Sequence, residues 1–452
     1  MPTPWPLHII RIVQLVLLTS MLAYAPCTWG DAPSDDAAAR GTVTPRAGSP
    51  GTASAPSDPT GALTLPEVLA RVLTESPKLQ PYSWQIRADE ARTLQAGLRP
   101  NPSADLVVED VLGTGEFRGG RRAQITLALS QLIELGGKRA GRVDVAARSR
   151  DLAQREYEVR RVEVLADATE RFIAVLERQN AHALARTNVE LSQATVETVQ
   201  RRIQAGAGST LEAKRAQIAL ARARVAEEDV THEQAVARSQ LAATWGSTTP
   251  AFERAEGDLF ARRRIPIFTE LTGSISASPQ ILRRLSEGNL RRAELELAYA
   301  KRIPDVNLSA GPRWLEEPSK ASFVFGVAVP LPLFDRNQGG VGEAQALAGK
   351  TGAVTRATEV RLQAALFGLH QELLHSGHEL DALEKQILPA AEEALSLSRQ
   401  GFTEGRFSYL DLLDAQRTFV DVKTEHLEAA ASYHRFVLAI ERLTGEPMDR
   451  KG

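Results

Sequence analysis

The sequence predicts an α+β fold that is mainly α and internally duplicated. Each chain is expected to contribute four strands to a trimeric transmembrane β-barrel. Three observations support this class. Long tracts are dominated by Ala, Leu, Arg and Glu and only 5% of residues are aromatic, a composition typical of extended helices. The same order of elements occurs twice, and each half has two short segments with the period of a strand.

The composition also excludes some classes. The formal net charge is -2 at pH 7, so no broad basic surface is expected and nucleic acid is not a predicted partner. The chain contains no nucleophile elbow, phosphate loop, zinc-hydrolase pair or dinucleotide fingerprint. We therefore expect no enzymatic activity, no catalytic residues and no cofactor.

The N-terminal region has the pattern of an exported protein. An apolar run, 12–25, follows Arg11 and suits a secretory signal, so 1–30 is interpreted as a signal peptide, cleaved near Ala25 or nearer Gly30. The only cysteine, Cys27, excludes a disulfide within the chain. We favour its loss with the signal, or a cysteine without a role, over lipidation. Residues 31–60, rich in Pro, Gly, Ser and Ala, are predicted to be a disordered tether.

The rest of the chain repeats. The dipeptide Ser76-Pro77 recurs at Ser278-Pro279, and later the segment 205–217 matches 404–416 at an offset of 199 (404 − 205). Matches spread in order along the chain indicate internal duplication. The predicted organisation is listed by residue range: first repeat 61–246, equatorial linker 247–277, second repeat 278–445 and C-terminal tail 446–452.

Each repeat has the same elements in the same order. The first repeat is predicted to have a helix at 66–97, strands at 104–111 and 123–132, a long helix at 138–204 and a return helix at 211–245. The second is predicted to have a helix at 278–301, strands at 305–311 and 322–330, a long helix at 342–403 and a return helix at 410–444. A helix spanning 138–204 measures roughly 100 Å, and Pro389 should interrupt its counterpart.

The strands predict a membrane barrel. Their alternation places one set of apolar side chains on a lipid-facing surface: Ile125, Leu127, Leu129, Phe323, Phe325 and Val327. Four strands cannot close a barrel, and open edges are not tolerated in lipid. Two copies would give a filled barrel of eight strands, whereas three copies give twelve. We therefore favour a trimer.

The segments SQLIELGGKR (130–139) and PLPLFDRNQGG (330–340) lie where a strand enters a long helix in each half. With them, the chain from about 63 to 445 resembles the TolC-like outer-membrane efflux channels, and within them the heavy-metal, cobalt-zinc-cadmium (CzcC-type) subgroup. The resemblance implies a homotrimer in the outer-membrane lipid, whose β-barrel continues into a long periplasmic helical coiled-coil barrel. It also implies a periplasmic membrane-fusion adaptor and a proton-driven inner-membrane pump of the RND type as partners, with heavy-metal cations as the exported cargo.

Two other functions stay open at this point. One is a duct of the same fold for drugs or for type I secretion, since a passive duct carries little cargo chemistry. The other is a soluble periplasmic coiled-coil scaffold, against which the strands with one apolar face argue. The metal, the identity of the pump and adaptor, and the open or closed resting state do not follow from the sequence.

Both predicted hairpin turns carry Ser-x-x-acid, namely Ser209 with Glu212 and Ser408 with Asp411, which is the pattern of a helix capping box. Asp414, one helical turn further on, has no such explanation, and its counterpart in the first half is Arg215. The resemblance implies a periplasmic entrance formed by Asp411, Asp414, Glu212 and Phe402. It implies adaptor-docking tips at Gly206, Ala207, Gly208, Gly405 and Arg406, although Arg406 departs from the family's small or apolar residue and Gly208 is expected to loosen its tip.

Histidines and a tryptophan complete the candidates. His370, His375 and His378 lie close together on a predicted helix, and we favour a polar helix face over a metal site. No metal-binding residues are therefore predicted. Trp314 lies between the second pair of strands, where an external loop is favoured over an interfacial aromatic belt.

Overall fold

The computed structural model describes residues 58–120, 122–316 and 320–448. The predicted signal peptide at 1–30, the predicted tether as far as 57 and the tail residues 449–452 lie outside the described residues. The described part of the chain is mainly helical, as its composition predicts. No helix in these ranges has both the length and the apolar composition needed to cross a bilayer.

The elements follow one another in two similar series. The first half contains β1 (Gly61–Thr64), α1 (Leu65–Glu75), α2 (Gln80–Ala96), β2 (Ser103–Glu109), β3 (Gln124–Ile133), α3 (Lys138–Gln204) and α4 (Thr210–Ala242). Between the halves lie β4 (Phe252–Glu256) and α5 (Phe268–Thr272). The second half contains α6 (Pro279–Ala300), β5 (Val306–Leu315), β6 (Lys320–Ala328), α7 (Gln338–Ala382), α8 (Leu388–Thr403) and α9 (Tyr409–Thr444). Short 3₁₀ turns occur at Gly115–Gly120, Ala243–Trp245 and Ile275–Ala277, and a π-helical turn, Leu383–Ile387, joins α7 to α8.

The helix predicted at 66–97 is interrupted. It forms α1 and α2, because Pro77 has no N–H to donate and disfavours a helical conformation at Ser76, whose ψ is 120°. In the second half the same dipeptide begins a helix. There Ser278 caps α6, and its Oγ accepts a hydrogen bond from the amide of Ile281 at 3.4 Å.

The long helices differ between the halves. The first, α3, has 67 residues and covers the predicted range. Its counterpart begins at Gln338, four residues before the predicted start at 342 (342 − 338), and changes to a π-helical turn just before Pro389. Because proline cannot donate to the turn that precedes it, the regular hydrogen-bond ladder is broken here. The predicted interruption at Pro389 therefore takes the form of this π-helical turn.

Four strands form one antiparallel sheet in the order β2-β3-β5-β6. Strand β5 continues past the predicted end at 311, and Trp314 pairs with Ile125 on one side and with Ala321 on the other. The prediction that Trp314 lies in an external loop is therefore wrong. The strand can continue because Gly311 allows close approach: a Cβ at this position would lie 1.9 Å from the carbonyl oxygen of Leu127.

A second, two-stranded sheet pairs β1 with β4 in parallel. Strand β4 lies in the predicted linker at 247–277, which therefore contains regular structure. Asp58 lies in the range predicted as tether, yet its carboxylate accepts hydrogen bonds from Trp245 Nε1 at 2.9 Å and Ser247 Oγ at 2.8 Å. The tether prediction is therefore wrong for residues from Asp58 onward, because this carboxylate is held by the end of the first repeat.

Two clusters of buried apolar side chains hold the helices together. The larger joins the two halves, with Phe172 and Trp245 from the first and Tyr433 and Ile440 from the second. The smaller lies where the hairpins turn, and we call it the tip core. It consists of Val196, Val199, Ala216, Leu220, Leu395, Phe402, Tyr409 and Leu412.

Candidate functional site

Two turns close the helical hairpins. We call residues 205–209, between α3 and α4, the first tip, and residues 404–408, between α8 and α9, the second tip. Gly206 and Gly405 have φ angles of 75° and 77°, a left-handed conformation that strains any residue with a Cβ. Both are exposed, as is Ala207. The matched glycines therefore produce the same backbone turn in both halves.

Both tips carry a capping box. In the first, Ser209 Oγ accepts from the Leu211 amide at 3.0 Å, and the Glu212 carboxylate accepts from the Ser209 amide at 3.2 Å. In the second, the Asp411 carboxylate accepts from the hydroxyl and from the amide of Ser408, each at 2.8 Å. The Ser408 hydroxyl, and then its amide, hold the pKa of Asp411 below its ordinary value. Glu212 and Asp411 are therefore helix caps.

The next acidic position is different. Asp414 is exposed on α9, and among the described residues no hydrogen bond or ion pair involves it. Arg215 is exposed at the matching position of α4. Burial raises the pKa of Tyr409, and the positive charges of Arg417 and Arg215 act in the opposite direction. The second half thus presents a free carboxylate where the first presents a guanidinium.

Phe402 does not lie where the sequence analysis expects it. Its side chain is only 1% exposed, and its ring centroid lies 6.3 Å from that of Tyr409. The guanidinium carbon of Arg202 lies 4.4 Å from the Phe402 ring centroid, within the range of a cation–π contact. The prediction that Phe402 lines the entrance is therefore wrong, because this ring is buried between the hairpins of a single chain.

Arg202 connects the two tips, and the sequence analysis missed it. One of its terminal nitrogens donates to the carbonyl of Phe402, and Nη2 donates to the carbonyl of Ala207 at 3.2 Å. At the offset of 199 its counterpart is Gly401, so the repeats disagree strongly at this position. That disagreement was the only sign in the sequence that Arg202 has a special role.

A second polar contact links the hairpins further along the helices. Gln416 Nε2 donates to Thr195 Oγ1 at 2.6 Å, and both side chains are buried. The two residues are separated by 221 positions, and neither belongs to a recognisable motif. No local pattern of the sequence could have paired them.

The residues predicted to dock the adaptor differ in their local contacts. Arg406 forms an ion pair with Glu404. Hydrogen bonds from Gln400 and then from Arg406 lower the pKa of Glu404. Gly208 does not loosen the first tip as expected, since a Cβ there would lie 2.9 Å from both Cγ1 and the amide nitrogen of Ile203. Gly208 therefore allows the first tip to pack tightly.

The four-stranded sheet has an apolar face and a polar face. The apolar face carries the residues predicted to face lipid, with Phe325 77% exposed, and also Trp314. On the polar face, Arg313 Nε donates to Thr126 Oγ1 at 2.9 Å, and Ser130 Oγ donates to Asp105 at 2.6 Å. Such a division suits a surface with lipid on one side and water on the other.

The histidines do not form a cluster. His370 is buried, and its Nε2 lies 3.0 Å from the carbonyl oxygen of Pro266. His375 and His378 are exposed on α7. Across residues 58–120, 122–316 and 320–448, no group of three or more His, Cys, Asp or Glu side chains is placed to hold a metal ion.

The chain is similar to several known proteins. It matches the outer membrane efflux protein family over residues 68–247 and 274–446. It is 30% identical over 390 residues to the cobalt-zinc-cadmium resistance protein CzcC of Cupriavidus metallidurans, covering 86% of this chain and 92% of that protein. It is 26% identical over 298 residues to the nickel-cobalt-cadmium resistance protein NccC of Alcaligenes xylosoxydans xylosoxydans, covering 66% and 67%. The outer membrane protein VceC of Vibrio cholerae has the same fold, with a TM-score of 0.71 at 18% identity over 85% of this chain and 97% of that one.

The two similar helical hairpins and the single four-stranded sheet, whose strands β3 and β6 each precede a long helix, define the class as a TolC-like channel fold. The chain belongs to the outer membrane efflux protein family. The resemblance to the heavy-metal subgroup is confirmed by the similarity to CzcC and NccC. Because the homologues are outer-membrane efflux channels, the protein is not an enzyme, as the sequence analysis predicts.

Proposed function

We propose that the protein is the outer-membrane duct of a tripartite, proton-driven efflux system. Three copies form a barrel of twelve strands in the outer membrane, and their helices continue as a tunnel through the periplasm. A periplasmic adaptor and an inner-membrane pump of the RND type deliver heavy-metal cations from the periplasm or cytoplasm, and the cations leave passively through the tunnel.

The four-stranded sheet is the main support for this proposal. Its apolar face is exposed in one chain, and within the described residues the edge strands β2 and β6 each pair on one side only. In lipid, an unpaired backbone group costs several kcal/mol because no water can replace its partner. Further copies supply the missing partners, and three copies give a barrel wide enough for a channel.

Similarity to resistance proteins for cobalt, zinc, cadmium and nickel supports heavy-metal cargo. The test is a strain that lacks the gene, grown with zinc, cobalt, cadmium, copper or a panel of drugs. We expect lower tolerance to one or more of the metals, restored by a plasmid copy. Sensitivity to drugs alone would instead assign a drug duct, and recovery of the protein in the soluble periplasmic fraction would instead favour a scaffold.

At the tips, Asp414 is proposed to form an acidic ring at the periplasmic entrance, with Asp411 beside it. This position is supported by an exposed carboxylate without a partner among the described residues. Asp414→Asn should lower the cation selectivity of single channels in planar bilayers and weaken block by divalent cations. The effect should shrink at high salt, where such charges are screened. Arg215→Gln, a charge removal in the other half, is the matched control and should not reproduce this loss.

The exposed turns are proposed to dock the adaptor. The contact would use the backbone of Gly206 and Gly405 and the methyl group of Ala207, next to Arg406, while Gly208 allows the first tip to pack tightly against Ile203. Ala207→Glu places a charge on this surface without touching the tip core. We expect it to reduce copurification with the adaptor while leaving membrane insertion unchanged, and full copurification would refute the contact.

A further inference from the structure

The four helices next to the sheet repeat the order of its strands. Helices α2 and α6 lead into β2 and β5, and helices α3 and α7 follow β3 and β6. Helix α3 packs between α2 and α6, and α6 packs against α7, so the order α2-α3-α6-α7 matches the order β2-β3-β5-β6. The open edges of the sheet therefore continue into two edge helices, α2 on one side and α7 on the other.

The side of α7 that points away from α6 is apolar and exposed. Thr351 is buried on the side toward α6, where a Cβ on Gly288 would lie 3.9 Å from its Cγ2. Gly342 lies nine residues earlier (351 − 342), about 2.5 turns, so it points to the opposite side. Exposed residues without charge recur there at the spacing of a coiled coil, and we call them the α7 row: Gly342, Ala346, Gly349, Ala353 and Val360.

Helix α2 carries larger apolar side chains on its own outward side. Asp89 is buried on the inward side. Three exposed residues recur at intervals of seven on the other side, and we call them the α2 row: Trp84, Ala91 and, just past the end of the helix, Leu98. Trp84 is 65% exposed and Leu98 is 52% exposed. One chain therefore has an uncovered apolar row at each of its two edges.

The contact between the two halves of one chain shows how such rows can pack. There α6 lies against α3, and these helices are the counterparts of α2 and α7. Gly141 of α3 lies next to Leu297 of α6, since a Cβ on Gly141 would lie 3.1 Å from Leu297 Cδ1. Ala293 of α6 matches Ala91 at an offset of 202 (293 − 91), and Ala293 is buried whereas Ala91 is exposed. The internal contact thus already places a large apolar side chain against a glycine.

We propose that the α2 row of one copy packs against the α7 row of the next copy, so that an apolar seam next to the barrel joins the copies. The partner that this surface fits is a second copy of the chain, because the two rows continue the two open edges of the sheet. This inference rests on the proposed function, since it presupposes a trimer.

The directions of the helices set the arrangement of the seam. Helix α2 runs toward the sheet and α7 runs away from it, so the two helices are antiparallel across the seam. Leu98 lies at the sheet end of the α2 row and Gly342 at the sheet end of the α7 row. Trp84 lies about 21 Å further from the sheet than Leu98, where the α7 row continues. Burial of the Trp84 and Leu98 side chains by the next copy stabilises the trimer.

Cysteine pairs across the seam test the proposal directly. In the full-length protein in its membrane, Leu98→Cys is combined in turn with a cysteine at one of three positions of the α7 row, Gly342, Ala346 or Gly349. Helices α3 and α6 lie between α2 and α7 in one chain, so a disulfide can form only between copies. Mild oxidation should give covalent dimers and trimers on a non-reducing gel for at least one pair.

The matched control combines Leu98→Cys with Gly352→Cys. Gly352 is exposed on the same helix but lies about 80° around it from Gly342. This pair should give no covalent oligomers. Each single-cysteine variant controls for reaction with Cys27, the only native cysteine.

Two results would overturn the seam and leave the trimeric duct intact. One is cross-linking through Gly352→Cys alone. The other is no cross-linking from any row pair in a preparation that native mass spectrometry shows to be trimeric. If the wild-type protein itself is not trimeric, the proposed function fails, and the seam fails with it.

A second measurement needs no cysteines. Gly342→Leu fills the α7 row, and Gly352→Leu adds the same side chain outside it. Among the described residues, a Cβ on either glycine meets no other atom within 4 Å, so both variants should fold as single chains. Gly342→Leu should raise the monomer fraction in detergent by about tenfold, whereas Gly352→Leu should stay within about twofold of the wild type. Equal effects of the two substitutions would refute the seam.

Discussion

The two hairpin tips have the same backbone conformation, but different side chains pack around it. Each has a left-handed glycine, Gly206 or Gly405, followed three residues later by a capping serine. The side chains around these turns have diverged. At matched positions, the first hairpin has Ile203 and Thr210 where the second has Phe402 and Tyr409. The first pair is partly or fully exposed, whereas the second pair is buried.

At a second pair of matched positions, the first hairpin has the larger side chain. Arg202 in the first hairpin matches Gly401 in the second, where the missing side chain makes room for Phe407: a Cβ on Gly401 would lie 2.2 Å from its ring. The second hairpin therefore supplies the aromatic groups, and the first supplies the arginine that holds them. The turns are therefore equivalent in the two halves, whereas each hairpin provides side-chain contacts that the other lacks.

The largest effect should come from the buried aromatic ring. Phe402→Ala should destabilise the tips by about 3–5 kcal/mol, because it leaves a cavity in the tip core and removes the ring under Arg202. Ile203→Ala, the matched change in the first hairpin, should cost about 1–2 kcal/mol because Ile203 is already partly exposed. Hydrogen exchange of tip amides measures both. Equal costs would show that the tips have equivalent cores.

The next largest difference between the tips should come from replacing a glycine with alanine in each. Gly208→Ala should cost about 2 kcal/mol, since its new Cβ meets the Ile203 backbone, which cannot move aside easily. Gly401→Ala should cost less than about 1 kcal/mol. The three atoms nearest to its Cβ all belong to the Phe407 ring, a side chain that is 45% exposed and can therefore shift more easily than a backbone. The free energy of local opening, obtained from amide exchange rates, measures both costs. A larger cost for Gly401→Ala than for Gly208→Ala would contradict the prediction.

The left-handed glycines should behave alike. Gly206→Ala and Gly405→Ala should each cost about 1 kcal/mol, because both residues have the same positive φ and a Cβ on either meets no other atom within 4 Å. The comparison uses the same exchange measurement at each tip. A difference of more than about 1 kcal/mol would show that the two backbones are not equivalent.

The smallest effect is a pH dependence confined to the second tip. The pKa of Asp411 is below its ordinary value of 3.8 in the fold, so this cap is present above pH 3.8 and is lost as the pH falls through the lowered value. Ser408→Ala removes the hydroxyl that lowers this pKa most and leaves the amide of residue 408. The variant should therefore lose its cap at a higher pH than the wild type, as followed by amide exchange in the second tip.

Ser209→Ala is the control for this measurement. It removes the equivalent hydroxyl from the first tip and leaves Asp411 with both of its partners. The pH dependence of the second tip should then match that of the wild type. A shift caused by Ser209→Ala would mean that the measured pH dependence is not specific to the hydroxyl of Ser408.

Much of the fold follows from short-range patterns in the sequence. The bounds of α3, the positions of both tips, their capping boxes and the alternation of the strands depend on residues within one or two turns of each other. Backbone dihedrals and local hydrogen bonds are set at that range, and the duplication repeats each pattern, so one half supports the prediction made for the other.

Only the tertiary structure decided which surfaces meet. It placed Trp314 on a strand, because neighbouring strands pair with it, and it buried Phe402, because the other hairpin covers this ring. It also brought Arg202 to the end of α8 and Gln416 to Thr195. These contacts join residues about 200 positions apart. Their formation depends on the packing of whole helices, which no local pattern encodes.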